Sequence, residues 1–108
     1  MATRISSRTR RDLEVFGANV ARWRKIQGLT AQMVADRAAV TRATLRSIEH
    51  GEGTARTENL FAVLRVLGQS DAVVTATDPL NSDLGRLHAI DKLPARVRPP
   101  RAPKATSQ

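Results

Sequence analysis

Residues 29–51, LTAQMVADRAAVTRATLRSIEHG, constrain the chain more than any other stretch. Thr30 and Thr41 each stand just ahead of a short run of helix-forming residues, and a threonine hydroxyl can accept the free backbone N–H groups at a helix start. Two short helices are therefore expected, one over Ala31 to Ala38 and one from Arg42 onward, the second stopped by Gly51 in a left-handed conformation. Val34, Ala38, Val40, Leu45 and Ile48 are spaced to face a common core, and Ala35 is small where one helix must pass close over the other. Arg42, Ala43, Arg46, Ser47 and His50 are left pointing outward. A short capped helix with arginines, small residues and polar residues on its outer face has the shape and chemistry to enter the major groove of DNA.

The flanking segments supply the rest of a small core. From Asp12 to about Gln27, Leu13, Phe16, Val20 and Trp23 or Arg24 recur at helical spacing, and Gly28 ends the pattern. Trp23 reads as a ring covering the edge of the core, with stacking on a base as the alternative. After the Gly51-Glu52-Gly53 loop, Thr57 is expected to cap a helix from Glu58 to Leu67, whose Leu60, Phe61, Val63, Leu64 and Leu67 form a broad apolar face closed by Gly68. Asp71 to Thr77, DAVVTAT, is short and β-branched and reads as a single strand. One strand in a helical chain leaves its N–H and C=O groups unpaired, so Val73, Val74 and Thr75 are expected to pair with a second copy across a twofold axis; a helix extension or an extended loop is the alternative. Residues 80–93 contain a possible short helix with Leu84, Leu87 and Ile90 on one side, ended by Pro94.

These residues together resemble the Xre/Cro-type helix-turn-helix regulators. The resemblance covers Phe16 to Gly68 and is carried by Phe16-Gly17, Arg24, Gly28-Leu29-Thr30, Val34-Ala35, Val40-Thr41, Leu45, Ile48-Glu49, Gly51 and Leu60 to Leu67-Gly68. It implies an all-α, lambda-repressor-like helix-turn-helix bundle of four to five short helices, here with one C-terminal β-strand. It also implies an ion pair between Arg24 and Glu49, and phosphate contacts or helix caps at Thr30, Gln32, Thr41, Thr44 and His50. Two positions depart from the family pattern: the usual Gln at the start of the first motif helix is Ala31, with Gln32 beside it, and the usual turn Gly is Ala39, a residue with a Cβ in a turn that Gly fills more easily. The segment from Asp78 to Arg98, with the strand before it, is similar to the ends of HipB-type antitoxins, which partner HipA-like kinase toxins.

Charge is distributed unevenly along the 108 residues. The net charge is +8, and Arg4, Arg8, Arg10 and Arg11 on one side and Arg96, Arg98, Arg101 and Lys104 on the other account for all of it, because the basic and acidic residues of 12–93 balance. Four regions follow: a disordered basic arm over 1–11, a helix-turn-helix domain over 12–69, a dimerisation strand and short helix over 70–93, and a disordered, basic, Pro-rich tail over 94–108. The chain has no Cys, hence no disulfide and no thiolate metal site. No apolar run approaches the length of a membrane span and no apolar segment follows the N-terminal basic residues, so a cytoplasmic protein is expected.

The function these features predict is sequence-specific binding of double-stranded DNA by a homodimer that represses its own promoter at an inverted repeat. Arg42 and Arg46, one turn apart, can each offer a planar fork to the O6 and N7 acceptors of guanine, while Ala43 and Ser47 allow close approach and can touch a base edge or a thymine methyl group. Arg56, in the loop, can meet a phosphate. Two alternatives stay open: a protein-interaction module that neutralises a kinase toxin, with DNA binding secondary, and a sequence-indifferent nucleic-acid binder acting through basic tails. His50 and His88 lack partners at metal-ligand spacing, and nothing pairs a nucleophile with a base, so no cofactor, no metal and no enzymatic activity are expected.

Overall fold

The computed structural model describes residues 4–96, and side chains as far as residue 91. Six α-helices lie within that range: α1 Ser7–Ile26, α2 Ala31–Ala38, α3 Arg42–Glu49, α4 Thr57–Val66, α5 Ser70–Ala76 and α6 Asp83–Arg96, with one 3₁₀ turn at Pro79–Asn81. The chain divides into two units, Met1–Asp71 and Ala72–Gln108.

In the first unit the core is built from one short stripe of each helix. Val20 of α1, Val34, Ala35 and Ala38 of α2, Leu45 and Ile48 of α3, and Val63 and Leu64 of α4 with the following Leu67 are buried. Leu13, Phe16, Val40, Leu60 and Phe61 close the core at its edges and are half-buried. The α1–α3 crossing is set by Gly17, where a Cβ would strike the carbonyl oxygens of Ile48 and Glu49. Only a residue without a side chain lets α1 lie so close to the last turn of α3. Gly51, at φ +69°, ends α3 against the backbone of Leu13 and Glu14, with a Cβ site 2.6 Å from the Leu13 carbonyl oxygen.

Three long-range hydrogen bonds tie helix ends together. Gln27, just beyond α1, donates from Nε2 to the Leu67 carbonyl at 2.8 Å, satisfying an end group of α4. Arg10 donates from Nη1 to the Gly51 carbonyl at 3.2 Å and, more weakly, to the Glu52 carbonyl at 3.4 Å. A guanidinium at that place meets carbonyls of the loop that follows α3, close to the negative end of the helix dipole.

Several expectations are corrected here. The segment Ser7–Arg11 is helical rather than a disordered arm: Ser6 Oγ accepts the Thr9 N–H at 3.1 Å, and Arg10 is held by the contact just described. Arginine is also a good helix former, so the lack of apolar residues does not prevent a helix. Thr57 is the first residue of α4, not its cap; the cap position is Arg56, which makes no side-chain capping bond.

The predicted strand over Asp71 to Thr77 is helix α5, and the described residues contain no strand. The pairing of Val73, Val74 and Thr75 with a second strand therefore falls away. A helix satisfies its own backbone groups within the segment, which a lone strand cannot do. Thr77 closes α5 by donating its N–H to the Val73 carbonyl at 3.2 Å and its hydroxyl to the carbonyls of Val73 and Val74 at 3.1 and 2.9 Å.

Within the second unit, Asp78 Oδ1 accepts the Leu80 N–H at 2.9 Å and starts the 3₁₀ turn. That turn packs on α6 so tightly that a Cβ on Gly85 would collide with the Pro79 backbone. Arg86 donates to the Leu80 carbonyl at 2.9 Å and pairs with Asp83. Helix α6 continues to Arg96, past Pro94. Proline removes one intrahelical hydrogen bond, but its φ is compatible with helix, so the backbone can carry on beyond it. Leu80, Leu84, Leu87 and Ile90 of this unit are exposed. The tail expected over 94–108 lies, from residue 97 on, outside the described residues.

Candidate nucleic-acid interface

Two threonine caps make the interface possible. Thr30 Oγ1 accepts the Met33 N–H at 3.0 Å, and Thr41 Oγ1 accepts the Thr44 N–H at 3.0 Å. The Thr41 hydroxyl also donates to Thr44 Oγ1 at 3.0 Å. The Thr44 proton is then left to donate elsewhere. Between the helices, Ala39 takes the left-handed conformation at φ 57°, ψ 41°, the one non-glycine positive φ among the described residues. That single residue turns the chain sharply enough for Val40 N–H to bond the Ala35 carbonyl at 3.0 Å before α3 begins.

The rotation of α3 is fixed from below. Leu45 and Ile48 are buried, which turns Arg42, Ala43, Arg46 and His50 to solvent. Glu49, on the same helix, is held by Arg24 of α1: Nε and Nη2 reach the two carboxylate oxygens at 2.8 and 3.1 Å, and Nη1 donates to the Leu29 carbonyl at 3.2 Å. Both side chains are largely shielded, at 14% and 11% exposure. The hydrogen bond to Glu49 raises the Arg24 pKa above its ordinary value, with burial opposing it. One guanidinium thus joins α1, the α1–α2 loop and α3.

The outward side chains are not equally free. Arg42, Ala43, Arg46, Glu49 and His50 line one depression with Ala31 of α2. Ser47 is half-buried, its hydroxyl 2.8 Å from that of Thr54 in the following loop. His50 Nδ1 lies 2.9 Å from the Arg46 carbonyl. A carbonyl can only accept, so Nδ1 carries the proton and Nε2 is the remaining ring nitrogen. Arg56 pairs at 3.3 Å with Glu58, and both are widely exposed. Trp23 is 42% exposed and borders a separate depression with Asn19, Arg22 and Ile26.

Gln32, expected at a phosphate, is exposed and engaged within the protein. Its amide bridges Asp36, at 2.7 Å, and Arg42, at 3.2 Å, and so brings the first turns of α2 and α3 within side-chain reach. Neither Asp36 nor Thr54 was singled out by sequence reasoning. The i, i+4 spacing of Gln32 and Asp36 is the only trace of their contact in the sequence. Arg10 reads as part of a basic arm, and nothing local to it signals its partner 41 residues away.

Two capped helices crossing at a left-handed turn, with arginines at the first and fifth residues of the second, define a helix-turn-helix unit. The helix-turn-helix family model matches residues 20–73. The chain belongs to the helix-turn-helix family of the Xre and lambda-repressor type, whose members are DNA-binding regulators. No curated protein and no solved structure matches it. Among the described residues, no helix is long and apolar enough to cross a membrane.

Proposed function

We propose that this protein is a sequence-specific regulator that reads an inverted-repeat operator as a homodimer, represses its own promoter and acts by binding rather than by catalysis. The observation that carries the reading is the immobilised helix α3. It is capped by Thr41, clamped through Glu49 and turned so that Arg42, Ala43 and Arg46 are exposed together. Arg42 and Arg46 serve as guanine-reading forks, and Ala43 and Ser47 as close contacts to base edges. Thr30, Thr44 and His50, with the positive ends of α2 and α3, hold phosphates that set register.

A single recognition helix reads one half-site, so an inverted repeat needs two copies with their helices about 34–36 Å apart. With helix α5 in place of the expected strand, the exposed Leu84, Leu87 and Ile90 of α6 supply the apolar surface that a second copy would cover. Association with a HipA-like kinase loses one of its two supports, since α5 occupies the place of the strand, and rests on the sequence of Asp78 to Arg98 alone. A DNA-binding regulator of this kind acts in the cytoplasm.

Selection from random duplex DNA at physiological salt tests the reading. Enrichment of an inverted repeat with guanines in each half-site is expected. Enrichment of no sequence, or of a single unrepeated element, contradicts it.

A further inference from the structure

We propose that Asp36 and Gln32 position Arg42 for base readout, which makes Asp36 a specificity-determining residue. The inference rests on the reading of Arg42 as a base contact. Asp36 Oδ1 accepts the Gln32 Nε2–H at 2.7 Å, and Arg42 Nη1 donates to Gln32 Oε1 at 3.2 Å. The chemistry of the three groups fixes the direction of this chain. A carboxylate only accepts, so the amide must turn its NH₂ group toward Asp36; a guanidinium only donates, so it needs the carbonyl that this orientation presents. Reversing the amide would set two acceptors against each other at one end and two donors at the other. Asp36 therefore selects the amide orientation that suits Arg42.

The geometry leaves Arg42 able to read. It is the first residue of α3, next to the Thr41 cap, so its backbone is held. One Nη1–H is spent on Gln32, and the fork formed by Nε–H and Nη2–H is left for the O6 and N7 of a guanine. An arginine held in advance gives up less conformational freedom on binding and rejects misplaced acceptors more sharply. All three side chains belong to exposed residues, so replacing them leaves the core intact.

The test is the affinity of the wild-type-selected duplex and its single-base-pair variants for wild type, Arg42→Ala, Gln32→Ala, Asp36→Ala and Asp36→Asn. An arginine–guanine fork is worth about 5- to 150-fold in discrimination. Arg42→Ala relaxes one position in each half-site. Gln32→Ala and Asp36→Ala relax that same position by about fivefold, the lower end of that range. Asp36→Asn can present either an acceptor or a donor to the amide, so it no longer selects the orientation and relaxes the same position, by no more than Asp36→Ala does. Adding Asp36→Ala to Arg42→Ala changes nothing further. A uniform gain in affinity for every duplex on Asp36→Ala would mean that Asp36 only repels phosphates, and would overturn the inference. So would an undiminished wild-type preference in Asp36→Asn, because an asparagine cannot select the amide orientation. If Arg42→Ala relaxes one position and the α2 variants relax none, the positioning role alone fails. If Arg42→Ala relaxes none, the base contact itself fails and the inference with it.

Discussion

Arg24 grips Glu49 through a two-pronged contact at 2.8 and 3.1 Å while its remaining Nη1 holds the Leu29 carbonyl at 3.2 Å. Removing one partner of a shielded ion pair leaves the other charge uncompensated, at a cost of about 3–5 kcal/mol, and the residual exposure here favours the lower figure. Glu49→Ala and Arg24→Ala should each lower the urea midpoint accordingly. Arg24→Lys should recover little, because an ammonium cannot span both carboxylate oxygens. The raised Arg24 pKa places its stabilising contribution in full below the arginine's unfolded value, to be lost only as pH rises through the folded one. Titration to mildly alkaline pH should therefore leave the arginine side of the clamp intact.

Ala39 holds a conformation that costs an L-residue about 1–2 kcal/mol. Ala39→Gly relieves it and loses part of the gain to the greater freedom of the unfolded chain. A net stabilisation of about 0.5–1 kcal/mol is expected, seen as a rise in Tm, with DNA selectivity unchanged.

Gly17→Ala pushes a methyl group into the carbonyls of Ile48 and Glu49. Backbone cannot swing aside as a side chain can, so α1 must move off α3. Overpacking of this kind costs about 1–3 kcal/mol, and chemical denaturation should find the upper end. The displacement should also weaken the Arg24–Glu49 contact, so Gly17→Ala and Glu49→Ala should be less than additive.

Arg10 belongs to the fold by its contacts with the Gly51 and Glu52 carbonyls, although its neighbours suggest a DNA-binding arm. Arg10→Ala should cost roughly 0.5–1 kcal/mol of stability, as expected for a cation at a helix C-terminus. Each phosphate contact removed lowers the log–log salt slope of binding by about 0.9. Arg10→Ala should leave that slope unaltered.

The parts of the molecule legible in the sequence are those governed by local chemistry. Threonines at 30 and 41 mark helix starts because a cap needs only its own next turn, and α2 occupies the expected Ala31–Ala38. The buried stripe of Val34, Ala38, Leu45 and Ile48 follows from helical spacing alone. The pairing of Arg24 with Glu49, by contrast, has no local signature and was expected only through family resemblance. DAVVTAT misleads because β-branched composition speaks for a strand, whereas the backbone of seven residues without a partner is satisfied only by a helix. The start of α1 was hidden for the opposite reason. Its stabilising contact, Arg10 with the end of α3, is between residues far apart in the chain. The Asp36–Gln32–Arg42 chain is likewise beyond sequence patterning, since it depends on how closely two helix starts approach.

The central claim is that α3 reads base sequence through Arg42 and Arg46. Its most direct test compares wild type with the Arg42→Ala, Arg46→Ala double variant on the selected inverted repeat and on a scrambled duplex of equal length, at one salt concentration. Loss of two guanine forks should remove about 2–6 kcal/mol of discrimination per half-site, so the double variant should bind both duplexes with nearly equal affinity while keeping its fold. A double variant that still prefers the inverted repeat as strongly as wild type would place sequence recognition elsewhere on the protein.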